Sequence, residues 1–199
     1  MKVVALVLAA GASRRFGSPK LIASLLGRPL LQHVLDAVAG AGLDDVVVVL
    51  GERAAEVEQA MAWRAERRVV NPRPQDGLSS SLRLGLDAAA EDPAADAVLV
   101  VLGDQPSLRP GTIAAVLAAA GRSDRPLVRA RYPDDDAPNP VLVRRPAWAL
   151  VAGLEGDRGL GPLLGLRPDL VLEVPVDGAN PDVDTPDDLA RLARTGGPH

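Results

Sequence analysis

Residues 3–20, VVALVLAAGASRRFGSPK, decide how the rest of the chain is read. Val3–Leu8 is a continuous apolar run, too short for a helix and rich in β-branched residues, and it ends in a glycine loop. That is the pattern of a strand buried on both faces. With Met1 and Lys2 the stretch also imitates a signal peptide. The imitation is weak: one lysine is a thin basic region, and Arg14 and Arg15 follow the apolar run instead of preceding it. The strand reading is the expectation.

Working outward, the same alternation recurs. Strands are expected at Asp45–Leu50, Arg68–Val70, Asp96–Leu102, Leu127–Arg131, Val141–Val143 and Leu170–Val174. Helices are expected at Pro29–Ala41, Ala54–Trp63, Ser79–Ala90, Ile113–Ala120 and Pro186–Ala193. Apolar strands alternating with helices predict an α/β fold of three layers, with a mostly parallel twisted sheet covered on both faces. Residues 1–193 read as one domain, and 194–199 as a flexible tail. Ligands of such sheets bind beyond the carboxyl ends of the strands, so the loops there are the candidate site.

Composition narrows the chemistry. The 199 residues include no cysteine and only two histidines, His33 and the terminal His199. Disulfides, iron–sulfur clusters and cysteine- or histidine-rich metal sites are excluded. A net charge of −4 has the wrong sign for a general nucleic-acid binder, and 2% aromatic residues are too few for a base-stacking surface. No apolar run is long enough to span a membrane, and a cytoplasmic location is expected. A bound metal would be held by carboxylates, which suits a hard cation such as magnesium.

Four loops carry unusual residues. In Leu8–Lys20, Gly11 and Gly17 permit a tight loop whose N–H groups can face an anion, and Arg14, Arg15 and Lys20 add positive charge. It matches neither the Walker A nor the GxGxxG pattern. Asp104, in Gly103-Asp104-Gln105-Pro106, stands at the end of a buried strand, where a carboxylate can bind magnesium. Alone, it reads equally as an aspartate turn before proline. In Asp182-Val183-Asp184-Thr185-Pro186-Asp187-Asp188, the alternating Asp182 and Asp184 are metal candidates. Thr185 to Asp188 reads as a helix start, with a threonine cap, proline first and acids in the first turn. In Asn71–Gly85, Gly77 allows close backbone approach, and the hydroxyls of Ser79, Ser80 and Ser81 suit either capping or nucleotide recognition.

As a set these residues resemble the nucleotidyltransferases related to the A-type glycosyltransferases, and among them the molybdenum cofactor cytidylyltransferases. The opening motif LAAGxSxRxGxxK is matched at Leu8, Ala9, Ala10, Gly11, Ser13, Arg15, Gly17 and Lys20. NPxxxxGLSSSLRxG is matched from Asn71 to Gly85, GDQPxL from Gly103 to Leu108, and NPVLxxR from Asn139 to Arg145. GDxG is matched from Gly156 to Gly159, and DVDTPDDL from Asp182 to Leu189.

The resemblance implies a Rossmann-like domain with CTP and magnesium as ligands. Leu8, Ala9, Ala10, Gly11, Ser13, Arg15 and Lys20 would cradle the triphosphate, with Lys20, Arg15 and Asp104 catalytic. Gly77 and Ser79–Ser81 would meet the cytosine and ribose. Asp104 and Asp184, with Asp182, would hold magnesium. Gln105, Asn139 and Asp157 would line the side of a molybdopterin-type phosphorylated acceptor, and a molybdoenzyme would be the protein partner. One departure stands out: where the family often carries a glycine-rich basic stretch before NPVL, this chain has Asp134, Asp135 and Asp136, expected at a solvated loop tip. Three other readings stay open: a guanylyltransferase of a phosphorylated small acid, a sugar-phosphate nucleotidyltransferase, and a non-catalytic cofactor-delivery chaperone.

Overall fold

A computed structural model of the chain describes residues 1–13, 16–133, 139–156 and 159–194. Strand β1 (Val3–Ala9) leads through a small hairpin, β2 (Ser24–Leu25) and β3 (Arg28–Pro29), into helix α1 (Leu30–Gly40). Then come β4 (Val46–Leu50), α2 (Ala54–Ala60), β5 (Arg67–Val70), α3 (Leu78–Ala90), β6 (Ala97–Leu102) and α4 (Pro110–Gly121). The last third adds β7 (Leu127–Arg131), β8 (Val141–Arg144), α5 (Trp148–Ala152), α6 (Gly161–Leu166), β9 (Val171–Pro175) and α7 (Pro186–Arg194).

Seven strands form one sheet in the order β5-β4-β1-β6-β8-β7-β9. The pairs β4–β5, β1–β4, β1–β6 and β7–β9 are parallel; β8 runs antiparallel to both its neighbours. The mostly parallel α/β sheet expected from the apolar runs is therefore present. β1 is central, which explains its composition. Val4, Leu6 and Leu8 pack with Leu82 and Leu86 of α3 and with Trp148 on one face. Ala5, Val7 and Ala9 pack with Leu31 and Leu35 of α1 and Ile113 of α4 on the other. Both faces of the strand are buried, so no polar position interrupts it.

Helix α2 is shorter than its periodicity suggested. It stops at Ala60; Trp63 lies beyond it, donates its indole N–H to the Glu58 carbonyl at 3.0 Å and carries the Arg68 guanidinium over its ring. His33 bonds the Leu25 carbonyl at 2.9 Å, a packing role. Among the described residues no helix is long and apolar enough to cross a membrane. Asp134–Asp136 lie outside the described residues.

Candidate active site

The carboxyl ends of β1, β4, β5 and β6 bring the quoted motifs to one edge of the sheet. The glycine loop leaves β1 at Ala9 and folds back on itself. Ser13 takes a left-handed φ of 52°, and its carbonyl accepts N–H bonds from Phe16 (3.0 Å) and Gly17 (3.3 Å). The Ser13 hydroxyl accepts the backbone N–H of Lys20 at 3.3 Å, which ties the far end of the loop to its start. Arg15 and Asp157, both sequence candidates, lie outside the described residues.

Lys20 is buried at the base of this loop. Its ammonium donates to Asp104 Oδ2 at 2.7 Å and to Asp184 Oδ1 at 2.9 Å. The three residues are separated by 84 and 164 positions in sequence, so only the fold assembles them. Burial works against the charged lysine, but the two carboxylates outweigh it and hold its pKa above the ordinary value.

Asp182 is held separately. Its Oδ1 accepts the Gln105 amide N–H at 2.9 Å, and Asn180 donates to the Gln105 carbonyl oxygen at 3.3 Å. The backbone is pinned too, by Val183 N–H to the Asp104 carbonyl at 2.9 Å. Loss of water around the Asp182 carboxyl, and then the Asp104 charge, push its pKa up to about 6 against the Gln105 bond. Among the described residues no three acids already converge as a ligand set.

Asp184 is set by the start of α7, which has the expected cap in reciprocal form. Thr185 Oγ1 accepts the Asp188 N–H at 3.2 Å; Asp188 Oδ2 accepts the Thr185 N–H at 2.8 Å and the Asp184 N–H at 3.2 Å. This is a capping box with aspartate in the glutamate's place.

Gln105, expected on the acceptor side, is 1% exposed, and its amide is engaged by Asp182 and Asn180. In this arrangement it braces the Asp182 carboxylate. The serines do not cap α3: the helix starts behind Gly77, whose φ of 92° only glycine adopts readily. Ser79 and Ser81 are buried. The Asn71 amide donates to Ser80 and Ser81 at 2.8 and 2.9 Å, and Ser80 back-bonds to the Gly77 carbonyl at 2.7 Å. Ser80 and Ser81 thus brace Asn71, and Ser80 the helix start.

A pocket does open beside the glycine loop. Ala10, Gly11 and Ser13 form one wall, Gly51, Glu52 and Arg53 another, and Pro74 closes it. Sequence reading missed Gly51–Arg53. The available signal was their place after β4, the strand next to β1, and the glycine: a Cβ at Gly51 would stand 2.5 Å from the Ala10 carbonyl oxygen. Asn139 is buried just ahead of Val141, which pairs with Val100 of β6, so it belongs to the same edge.

Known proteins agree with this architecture. Rv0371c of Mycobacterium tuberculosis H37Rv superposes with a TM-score of 0.87 at 32% identity, covering 98% of each chain. It has also been crystallised in complex with manganese. Nicotine blue oxidoreductase of Paenarthrobacter nicotinovorans is 34% identical over 203 residues, 96% of each chain. The bifunctional protein GlmU of Bordetella petrii is 36% identical over 118 residues, and the matched region spans only 26% of that longer protein. A MobA-like NTP transferase domain model matches residues 5–173, most of the chain. With a seven-stranded sheet of that architecture and the glycine loop, lysine and aspartates gathered at one edge, the chain belongs to the MobA-like NTP transferase domain family, and so to the nucleotidyltransferases.

Proposed function

We propose that the chain transfers CMP from CTP to the terminal phosphate of a molybdopterin-type acceptor and releases pyrophosphate. The observation that carries this reading is the buried Lys20 ammonium between Asp104 and Asp184, at the foot of a glycine loop. The Ala9-Ala10-Gly11 opening and the Gln105 of GDQP favour the cytidylyl branch by resemblance.

The acceptor phosphate is already ionised at neutral pH, so no strong base is needed. One of its oxygens attacks the α-phosphorus of CTP in line. The bond to the bridging oxygen breaks, and pyrophosphate leaves with the electron pair. The protein's part is positioning and charge neutralisation. Backbone N–H groups of Gly11 and its neighbours would face the phosphates, Lys20 and Arg15 would offset their charge, and the pocket between Gly11 and Gly51–Arg53 would take the base. The donor set fits a hard divalent ion: Asp104 and Asp184 are oxygen ligands that already bracket a cation, and Asp182 is held nearby. Such an ion would neutralise phosphate charge and orient the leaving group. The manganese complex of Rv0371c supports manganese beside magnesium. Asn139 and Asp157 remain the proposed acceptor side.

The test is kinetic. Removing one preorganised charge typically costs about 100–1,000-fold in rate. Lys20→Ala should lower kcat by that order while KM for CTP changes less, and Asp104→Ala should abolish turnover with the fold intact. Near-normal metal-dependent turnover in Asp104→Ala contradicts the assignment.

A second reading has one observation behind it. The relative matched over 96% of both chains carries the name of an oxidoreductase. Reduction of a coloured acceptor by NADH or NADPH, without pyrophosphate release from any NTP, would favour it.

A further inference from the structure

Lys20 carries more than a charge for the phosphates. The chain has 22 basic residues, and 20 of them are arginine; the two lysines are Lys2 and Lys20. At position 20 the compact ammonium is the group that fits. It sits between two carboxylate oxygens, 2.7 and 2.9 Å away, with 8% of its side chain exposed. A guanidinium is a broad planar fork, whereas a point ammonium occupies about the volume of an ion. Oxygens that share one nitrogen at these distances need to close by less than about 1 Å to ligate magnesium, whose oxygen distances are roughly 2.0–2.1 Å.

We propose that in the free protein Lys20 holds the cation's place between Asp104 and Asp184, so that a divalent ion enters only as the lysine leaves. This rests on the assignment of a divalent ion to Asp104 and Asp184. The two cations are mutually exclusive, because a divalent ion and an ammonium on the same two oxygens would repel strongly at close range in a partly buried site. The exit is short. The Lys20 backbone is tied to Ser13 in the glycine loop, and its four-carbon stem is flexible, so the released ammonium stays at the mouth of that loop. There the phosphates of a nucleotide supply a new partner. An ion arriving alone leaves the ammonium without one. Metal and nucleotide therefore bind as a coupled pair, each raising the affinity of the other.

The two lysines make the test direct. Protein labelled with ¹⁵N-lysine gives two ammonium signals. Lys2, which bridges Asp45 and Asp92 at the other end of β1, is the internal control. On titration with magnesium and CTP, the Lys20 signal should move while that of Lys2 stays. Manganese binding, followed by electron paramagnetic resonance without nucleotide, should be at least about tenfold tighter in Lys20→Met than in wild type, by relief of cation–cation repulsion. The gain in manganese affinity given by CTP should shrink in the variant. A Lys20 signal that holds its position while metal is bound overturns the proposal and leaves the metal assignment standing, as does equal or weaker manganese binding in Lys20→Met. Manganese binding to neither protein, while CTP still binds, overturns both.

Discussion

Replacing the buried Gln105 by methionine should destabilise the protein markedly. The side chain is 1% exposed, as is Asn180. Methionine keeps the volume but removes both amide functions. Asp182 loses the 2.9 Å donor to its carboxylate, and a bond to a charged group is worth about 1.5–3 kcal/mol. Asn180 loses its 3.3 Å acceptor inside the protein, a penalty of about 1–3 kcal/mol. Water can reach Asp182 and recover part of the first term, and the apolar thioether recovers some packing. The net loss should be about 2–4 kcal/mol. For a chain of this length each kcal/mol lowers Tm by roughly 2–4 °C, so the fall should be about 4–16 °C. Differential scanning calorimetry measures it. Manganese affinity in the same protein should also weaken, because Asp182 is no longer aimed. A Tm within about 1 °C of wild type would mean that the buried amide network carries no net stability.

Gly85→Ala should destabilise by about 1–2 kcal/mol, an overpacking cost partly offset by better helix propensity. Its Cβ would collide with both δ carbons of Leu6 under α3, and Leu6→Ala in the same chain should remove most of the effect in a double-mutant cycle. Leu26→Asn should add about 1 kcal/mol by urea unfolding, because Leu26 is held at φ 51° beside Gly27 at 82°, a turn that suits asparagine and strains leucine. Asp36 is pushed up by burial, but bonds from Arg64 and Gln32 and the Arg28 charge outweigh this and hold its pKa below the ordinary carboxylate value. The stability lost in Asp36→Asn, about 1 kcal/mol, should be full at neutral pH and vanish as pH falls through the depressed pKa; a gap that grows in acid would contradict it.

The sheet was legible because its strands are buried on both faces. Asp96–Leu102 and Asp45–Leu50 each differ from the observed strand by one residue at the start, and Leu127–Arg131 matches it. The β2–β3 hairpin was not. Its strands have two residues each, and its turn places a leucine where asparagine or glycine would have signalled it. Helices α5 and α6 are five and six residues long, too short for a periodic pattern. In the site, residue types and spacing named Lys20, Asp104 and Asp184, but pairing across 84 and 164 positions is a property of the fold. Gln105, Ser80 and Ser81 are engaged by other residues of the chain, which their residue types alone do not signal. Polar residues in a functional motif look alike whether they face a ligand or brace the residue that does, and only burial separates the two.

Whether this chain moves a nucleotidyl group is decided by pyrophosphate release. The purified protein is incubated with magnesium or manganese, each of the four NTPs in turn, and phosphorylated acceptors including a molybdopterin-type cofactor. Release should require the metal and the acceptor, be fastest with CTP, and be lost in Asp104→Ala. Release that is equal for CTP and GTP would move the assignment to a guanylyltransferase. No release from any NTP with any acceptor, by a folded protein, would contradict nucleotidyl transfer.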